Sequence, residues 1–294
     1  MRRGFEILFL LFISITVFGK PMTYIYPGPE SQNDKRYDYE WELLRNALEI
    51  TKDSYGSYVM KTANIVMNGN RRDYELNKDS GIVTIILGIG TKEREKILTP
   101  IRIPLDKGLL GYRVFLINKR NKFKFDKITK LEMLRKFKVG QGLGWGDIKV
   151  WESNGFKVER GSDYEGLFNM LRLERFDFFP RGILEITEEY ENRKNTIAEL
   201  AIEETILIYY PWPRYFFCSN SSEGKKLAER VKVGLIKMME NGDYDRIFKK
   251  HFENKIKKLN LKKRKFFKLD NPLLTSETPL DNRKLWYDIN ELIK

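Results

Sequence analysis

The sequence predicts an α/β protein built from two sheets, because helix and strand patterns alternate along the chain. Three continuous apolar runs, at 82–87, 112–117 and 205–210, are typical of strands that are covered on both faces. A block of short alternating strands and helices lies between the second and third runs. Segments 116–121 and 209–214 flank this block and mix apolar with polar residues. We therefore expect two lobes that are joined by two chain crossings at these segments.

Residues 1–19 predict a secretory signal peptide that is cleaved from the mature chain. Arg2 and Arg3 precede an apolar run at 5–18, and Gly19 is a small residue at the expected cleavage site. The run is shorter than the ~20 apolar residues that span a bilayer, and an uncleaved membrane anchor is the alternative. Export predicts a soluble periplasmic protein and argues against nucleic acid as a partner.

In the mature chain the first strand is predicted at 22–27, where it ends in a turn rich in proline. A helix follows, with Asp38 as its cap and apolar residues recurring along one face. Two further helices are predicted at 223–240 and 244–252, and Gly242 marks the break between them.

The central block is predicted as strand, helix, strand, helix and strand at 138–140, 146–153, 157–158, 163–173 and 176–179. Ser162 and Glu165 have the spacing of a capping box, which predicts the start of the second of these helices. Strands that alternate with helices in this way form parallel or mixed sheets with helices on their faces.

The composition excludes several classes of protein. The 294 residues include one Cys and one His, which excludes an internal disulfide, a Cys-rich zinc site and a multi-histidine metal site. We therefore predict no metal and no cofactor, and we expect a monomer. Cys218 lies in an apolar strand pattern and is interpreted as a small buried hydrophobic residue.

The formal net charge of +13 is concentrated in two segments. Residues 255–268 contain eight Lys or Arg and no acidic residue, and residues 119–138 contain nine Lys or Arg and two acidic residues. These patches are interpreted either as solvated surface or as docking sites for anionic lipid headgroups or an acidic partner. Residues 255–268 open a basic carboxyl-terminal extension, 255–294, which we expect to wrap a lobe with Trp286 as an anchor; a disordered tail is the alternative.

The glycine-rich segment that ends in Arg94 carries a family resemblance. It follows the apolar run 82–87, as a T-x-x-R segment follows its strand in amino-acid-binding proteins. With the glycine-rich turn at 140–146 and the stretches 103–113 and 210–217, the chain resembles type 2 periplasmic solute-binding proteins of extracytoplasmic family 3, in a subgroup without an assigned ligand. The resemblance covers roughly 21–252.

The resemblance implies the type 2 periplasmic-binding-protein fold, in which two mixed or parallel sheets are flanked by helices and joined by two hinge crossings. We assign 20–116 and 212–254 to lobe 1 and 117–211 to lobe 2, with 255–294 as the extension.

The resemblance also implies that Arg94 grips a ligand carboxylate, with Gly90 and Thr91 beside it. A planar guanidinium donates two parallel hydrogen bonds to a carboxylate, which suits this role. An exposed arginine at the start of a helix is the alternative.

The turn at Gly142, Leu143, Gly144 and Trp145 is the predicted contact from the second lobe. Backbone N–H groups at a strand-to-helix turn point toward an anion or carbonyl, and an aromatic ring can stack on a ligand. A tight turn with its tryptophan packed in the core is the alternative. The glycines lack the G-x-G-x-x-G spacing, so a nicotinamide cofactor is rejected.

One departure from the family changes the expected ligand. Amino-acid-binding members place an aspartate, which pairs with the ligand ammonium, where this chain has Gly182. Arg181 adds a positive charge there, Glu185 is the nearest substitute acid, and Arg36 lies in the corresponding loop of the first lobe. Two arginines in one cleft favour an anionic or carboxylate-bearing ligand.

These observations predict capture of a small solute between two lobes, for delivery to an inner-membrane permease of an amino-acid transporter. A sensory module that signals to a membrane partner is the first alternative. A dehydratase-like enzyme on the same fold is the second; Glu93, Asp177 and Glu185 are its candidate acids, but each is read more simply as a solvated or capping carboxylate. No catalytic residue is assigned.

Overall fold

The computed structural model describes residues 20–29 and 36–289. The predicted signal peptide, 1–19, lies outside the described residues. Within the described ranges, no helix is both long and apolar enough to cross a membrane.

The first part of the chain alternates strands and helices in the order β1 (Met22–Tyr26), α1 (Asp38–Glu49), α2 (Lys52–Tyr55), β2 (Tyr58–Thr62), α3 (Gly69–Asn77), β3 (Ile86–Ile89), α4 (Lys92–Ile97) and β4 (Thr99–Ile101). The middle part continues with β5 (Tyr112–Asn118), α5 (Lys122–Asp126), α6 (Leu131–Leu134), β6 (Lys138–Gly142), α7 (Ile148–Ser153), β7 (Lys157–Gly161), α8 (Tyr164–Arg172), β8 (Phe178–Gly182), α9 (Ile186–Glu191), β9 (Leu200–Ile202) and β10 (Ile206–Tyr209). The last part contains β11 (Arg214–Cys218), α10 (Ser222–Glu240), α11 (Asp243–Lys257) and β12 (Lys265–Lys268).

The first lobe is built on two small sheets joined edge to edge. β1 pairs with β2 in parallel, and β11 lies between β3 and β4, antiparallel to both. A hydrogen bond from Thr84 N to Ile25 O (2.8 Å) links the two sheets. Helices α1 and α10 pack closely together, since a Cβ on Gly234 would lie only 2.2 Å from Ala47 O.

The second lobe is one mixed sheet of seven strands. Its order is β12-β10-β5-β8-β6-β7, with β9 paired along β5. β6 is parallel to β7 and β8, whereas β5 is antiparallel to β8 and β10. Phe115, Trp151 and Phe178 are fully buried against this sheet. The predicted mixed α/β class is confirmed.

The crossings differ in place and number from the prediction. The chain leaves the first lobe between Ile101 and Tyr112, earlier than predicted, because the whole of β5 belongs to the second sheet. It returns between Tyr209 and Arg214. A third crossing follows α11, because β12 pairs in parallel with β10. The basic extension therefore begins as an edge strand of the second lobe, and its lysines suit an exposed edge.

Residues 269–289, which we call the strap, run from this edge strand back to the first lobe. Asp270 N donates to Asn154 Oδ1 (3.0 Å) in the second lobe, and Lys92 N donates to Leu273 O (2.8 Å) in the first. Trp286 lies against Gly108, where a Cβ would be 2.5 Å from its ring. The expected wrapping tail anchored by Trp286 is confirmed.

Local features of the helices were predicted in part. The cap of α8 is Asp163, which accepts from Gly166 N (2.6 Å), so the predicted capping box at Ser162 is wrong. The N-cap position of α1 is Tyr37 rather than Asp38, and Tyr37 makes no capping bond. The break at Gly242 (φ 85°) is confirmed, as is the burial of Cys218 in β11.

Candidate functional site

Arginines surround one partly exposed carboxylate where the two lobes meet. Glu185, directly before α9, is this carboxylate, and 39% of its side chain is exposed. Its Oε2 lies 3.2 Å from Arg181 Nη2 and accepts from Gly182 N (3.3 Å). Burial acts to raise the pKa of this carboxyl, but the charges of Arg181, Arg113 and Arg214 outweigh burial and hold the pKa below its usual value. Glu185 is therefore ionised at neutral pH while still meeting solvent.

Glu185 also occupies the space that a side chain at Gly182 would fill. A Cβ built on Gly182 would lie 3.1 Å from Glu185 Oε2. The carboxylate of Glu185 therefore reaches this space from three residues further along the chain.

Arg214, in the first lobe, is one of the charges that act on Glu185. It is the first residue of β11, immediately after the second crossing, and 19% of its side chain is exposed. One guanidinium nitrogen, Nη1, is paired with the buried carboxylate of Glu40. Among the described residues, Nε and Nη2 of Arg214 have no hydrogen-bond partner. These two N–H groups are the candidate donors to a ligand.

Burial acts to lower the pKa of the Arg214 guanidinium, but Glu40 and Asp106 outweigh it and raise that pKa. The positive charge of Arg214 is therefore fixed. The ring of Tyr37 lies 5.8 Å from the guanidinium, which adds a cation–π contact on one side.

Arg113 lies in β5, directly after the first crossing, and contacts residues of the second lobe and the second crossing. It is buried in β5, its Nη2 lies 3.4 Å from Asp147 Oδ2, and its guanidinium carbon lies 5.3 Å from the centre of the Tyr210 ring. Tyr210 Oη donates to the same Asp147 oxygen (3.1 Å). Within the described part of the chain, Nε of Arg113 is buried without a partner. Asp147 and Tyr210 thus hold the guanidinium of Arg113 in place, and its charge acts on Glu185.

Arg94 has carboxylate and carbonyl partners within the first lobe. Its Nε and Nη2 lie 3.0 and 2.9 Å from Asp73 Oδ2, and Nη1 donates to Ile89 O (2.6 Å). Thr91 caps α4 by accepting from Arg94 N (3.3 Å), and Gly90 is buried, with Gly90 N bonded to a carbonyl of the second crossing. The ligand role of Arg94 stays a prediction. A ligand carboxylate would have to take the place of Asp73 as the partner of Arg94.

Arg181 also has an internal partner. It pairs with both oxygens of Glu189, at 2.7 Å from Nε and 2.6 Å from Nη2, and it is largely buried. Its guanidinium carbon lies 5.0 Å from the ring centre of Trp145 and 4.9 Å from that of Phe179. Arg94 and Arg181, the two arginines from which an anionic ligand was predicted, are therefore already paired with acidic residues of the chain.

The glycine-rich turn is shaped around its tryptophan. A Cβ on Gly142 would lie 2.5 Å from Trp145 Nε1, so the indole fills the space above that glycine. Trp145 stacks on Phe179 with ring centres 6.0 Å apart. Leu143 is 66% exposed and Gly144 has φ 82°, which favours glycine.

The structure brings the predicted residues together in two sets. Gly142, Trp145, Arg181 and Glu185 lie in the second lobe, whereas Gly90, Thr91 and Arg94 lie in the first. Arg36 is linked to the hinge indirectly, because its guanidinium carbon lies 5.5 Å from the ring of Tyr37, which Arg214 also contacts.

Sequence reasoning missed Arg214 and Arg113. The available signal is that each arginine begins, or nearly begins, an apolar strand. Among the described residues, no cluster of His, Cys, Asp and Glu is arranged to hold a metal ion.

Comparison with solved structures identifies the fold. An ancestral arginine-binding protein bound to glutamine matches with a TM-score of 0.54 and 19% identity, over 80% of this chain and 99% of that one. A histidine kinase sensor domain with similarity to periplasmic binding proteins matches at 0.50 and 16%, over 79% and 96%. An ancestral amino-acid-binding protein, AncCDT-1, described as a precursor of cyclohexadienyl dehydratase, matches at 0.50 and 18%, over 79% and 95%.

No protein-family model and no curated protein matches the sequence. The solved structures establish that the chain has the two-lobed periplasmic-binding-protein fold, as the sequence predicted.

Proposed function

We propose that the protein binds a small amino-acid-like solute between its lobes. Glu185 of the second lobe pairs with the ligand ammonium, and Arg214 of the first lobe pairs with its carboxylate. The observation that carries the proposal is that Glu185 of the second lobe is partly exposed and is acted on by the charge of Arg214, which begins β11 directly after the second crossing. Nε and Nη2 of Arg214 have no hydrogen-bond partner among the described residues.

The charge pattern favours a ligand that carries both signs. A purely anionic ligand would be repelled by Glu185, and a purely cationic ligand by Arg214. A zwitterion satisfies both groups, and each charge-assisted hydrogen bond contributes roughly 1.5–3 kcal/mol. This proposal replaces the anionic ligand expected from Arg94 and Arg181, since both are paired internally.

The fold supports the same proposal. Two of the similar structures are amino-acid-binding proteins by description, and one holds glutamine. Glu185 lies in the space of the family's ammonium-binding aspartate, so a ligand amine can be bound without an acid at 182.

We further propose that the mature protein is exported and delivers its solute to an inner-membrane permease. The predicted signal peptide and the similarity to amino-acid-binding proteins support delivery to a transporter. A sensor role is the second candidate, favoured by the match to a histidine kinase sensor domain. Co-purification with a permease would support transport, and co-purification with a kinase would support signalling.

The ionisation of Glu185 argues against a general-acid role for this residue. A general acid must hold a proton near neutral pH, whereas the surrounding arginines keep the pKa of Glu185 below its usual value. Glu185 is therefore suited to binding a cation and unsuited to donating a proton.

Isothermal titration of the purified protein with a panel of the standard amino acids tests the solute. We expect one-to-one binding of at least one amino acid. Glu185→Gln and Arg214→Gln should each weaken that binding by about tenfold or more, which corresponds to about 1.4 kcal/mol.

Glu188→Gln and Arg175→Gln are matched controls, because both residues are exposed in the second lobe. They should change affinity by less than about twofold, and far-UV circular dichroism should show that all four variants are folded. Tight binding of a dicarboxylate or a polyamine that does not depend on Glu185 and Arg214 would overturn the proposal.

A further inference from the structure

A cavity that Glu185 and Arg214 do not line lies between the sheet of the second lobe and the strap. Its volume is about 610 Å³, within the ~300–1,000 Å³ range of small-molecule sites. Tyr112, Tyr209 and Phe266 line it from three adjacent strands, and Trp286 and Leu280 line it from the strap. The basic extension thus builds a cavity that the two lobes alone would not have.

The strap is held in place around this cavity by hydrogen bonds. Tyr287 N donates to Lys107 O (2.8 Å), and Tyr112 Oη donates to Tyr287 O (2.9 Å). Trp286 Nε1 donates to Pro279 O (2.8 Å), which fixes the indole within the strap. Hydrogen bonds therefore hold the strap, which forms one wall of the cavity, in place.

The inner surface is aromatic and partly open to solvent. The rings of Tyr112 and Tyr209 have centres 4.5 Å apart, and Tyr209 stacks on Phe266 at 6.3 Å with an interplanar angle of 24°. Phe266 and Leu280 are each 47% exposed. Large apolar side chains that share one exposed concave surface mark a binding site more often than ordinary surface.

Positive charge rims the aromatic surface. Lys262, Lys268 and Arg283 line the cavity and are exposed, and none of their side chains forms an ion pair or a hydrogen bond with another described residue. Arg264 also lines it but is engaged by Glu203 and by carbonyl oxygens. Among the described lining residues, Asp288 is the one acid. Three unpaired cations against one acid favour a ligand with negative charge.

We propose that this cavity binds an amphipathic anion, with an aromatic or short aliphatic body on the tyrosine and phenylalanine rings and a carboxylate, sulfonate or phosphate group at the lysines. Such an anion could be a soluble small molecule or an anionic lipid. The site is separate from the solute site at Glu185 and Arg214, and neither site depends on the other.

Titration of the purified protein with 8-anilinonaphthalene-1-sulfonate, followed by fluorescence, tests the site. We expect saturable binding of one dye molecule per chain. The double variant Lys262→Glu/Lys268→Glu should weaken binding by about tenfold or more, because the rim changes from attracting to repelling the sulfonate. Phe266→Ala should weaken it independently of salt.

Lys255→Glu/Lys258→Glu is the matched control. These lysines are exposed in the same basic segment, do not line the cavity, and change the net charge by the same amount. Equal loss of binding in the two double variants, or no saturable binding, would overturn the proposal.

Two further arms identify the occupant. In the first, the protein is sedimented with phosphatidylglycerol or phosphatidylcholine vesicles. Binding to phosphatidylglycerol alone that is lost in Lys262→Glu/Lys268→Glu would support the site, with lipid as the source of the anion. Dye binding without vesicle binding would support a soluble ligand. Residues 290–294 follow the lining residue Ile289. Dye binding that appears only after their deletion would overturn the proposal, because the chain's own terminus would then be the occupant.

Discussion

At the scale of the residue, Asp106 makes stability depend on pH. It is fully buried in the first crossing, where Oδ1 accepts from Gly108 N (3.0 Å) and Oδ2 has no partner among the described residues. Burial raises the pKa of Asp106 to about 6, and the charge of Glu40 adds to this against the opposing charge of Arg214. The folded protein therefore holds a proton that the unfolded chain releases near pH 4.

Because the folded pKa is the higher one, the free energy of unfolding should fall as pH rises from about 4 to about 6, and then level off. The loss from this group is on the order of 3 kcal/mol, from about two pKa units. Urea unfolding across this range should show that Asp106→Asn removes most of that loss, whereas the exposed control Asp126→Asn does not. An unchanged slope in Asp106→Asn would contradict the prediction.

For single residues of the candidate site, the sequence predicts which charged residues take part but not which partners they have. Arg94, Arg181 and Glu185 were predicted from the family resemblance, and all three take part in ion pairs. The partners of Arg94 and Arg181 were not predicted. Asp73 contacts Arg94 from another helix, α3, and Glu189 contacts Arg181 from α9, the helix that follows β8. Local patterns identify charged residues near a site, but only tertiary packing decides which charges are already neutralised.

At the scale of the element, the contact between α1 and α10 depends on Gly234. A Cβ at this position would lie 2.2 Å from the backbone oxygen of Ala47, which cannot move without moving α1. Gly234→Ala should therefore lower the free energy of unfolding by about 2 kcal/mol or more, despite the better helix propensity of alanine.

Gly69→Ala is the control for Gly234→Ala. Gly69 is the first residue of α3, and the nearest atom to its added Cβ is 3.7 Å away on a flexible arginine. This variant should be as stable as the parent or more stable by up to about 1 kcal/mol in urea unfolding. Equal stability of the two variants would contradict the close helix contact.

Elements with strong periodicity were predicted well, and elements stabilised by distant partners were not. Helix α10 and strand β5 follow from their apolar patterns alone. Strand β12 was not predicted, because Lys265–Lys268 carries a lysine at each end and resembles a solvated basic segment. It becomes a strand only because β10 offers an open parallel edge, which the local sequence does not reveal.

At the scale of the whole molecule, the strap ties the two lobes together. Asn271 Nδ2 donates to Pro211 O (2.7 Å) at the second crossing, and Glu277 pairs with Arg102 (2.7 Å) at the end of the first lobe's sheet. A chain that is bonded to both lobes and to a crossing restricts how far the lobes can separate. We expect the lobes of the intact protein to unfold together.

Truncation after Leu269 tests this coupling, because it removes the strap and keeps β12. Calorimetry should show the thermal midpoint falling by about 5 °C or more, since losing ~2 kcal/mol shifts a domain of this size by roughly 4–8 °C. The single transition should also broaden or split, as the lobes become independent. Deletion of residues 290–294 is the control and should leave both midpoint and width unchanged; a sharp, unshifted transition in the longer truncation would mean that the three crossings alone couple the lobes.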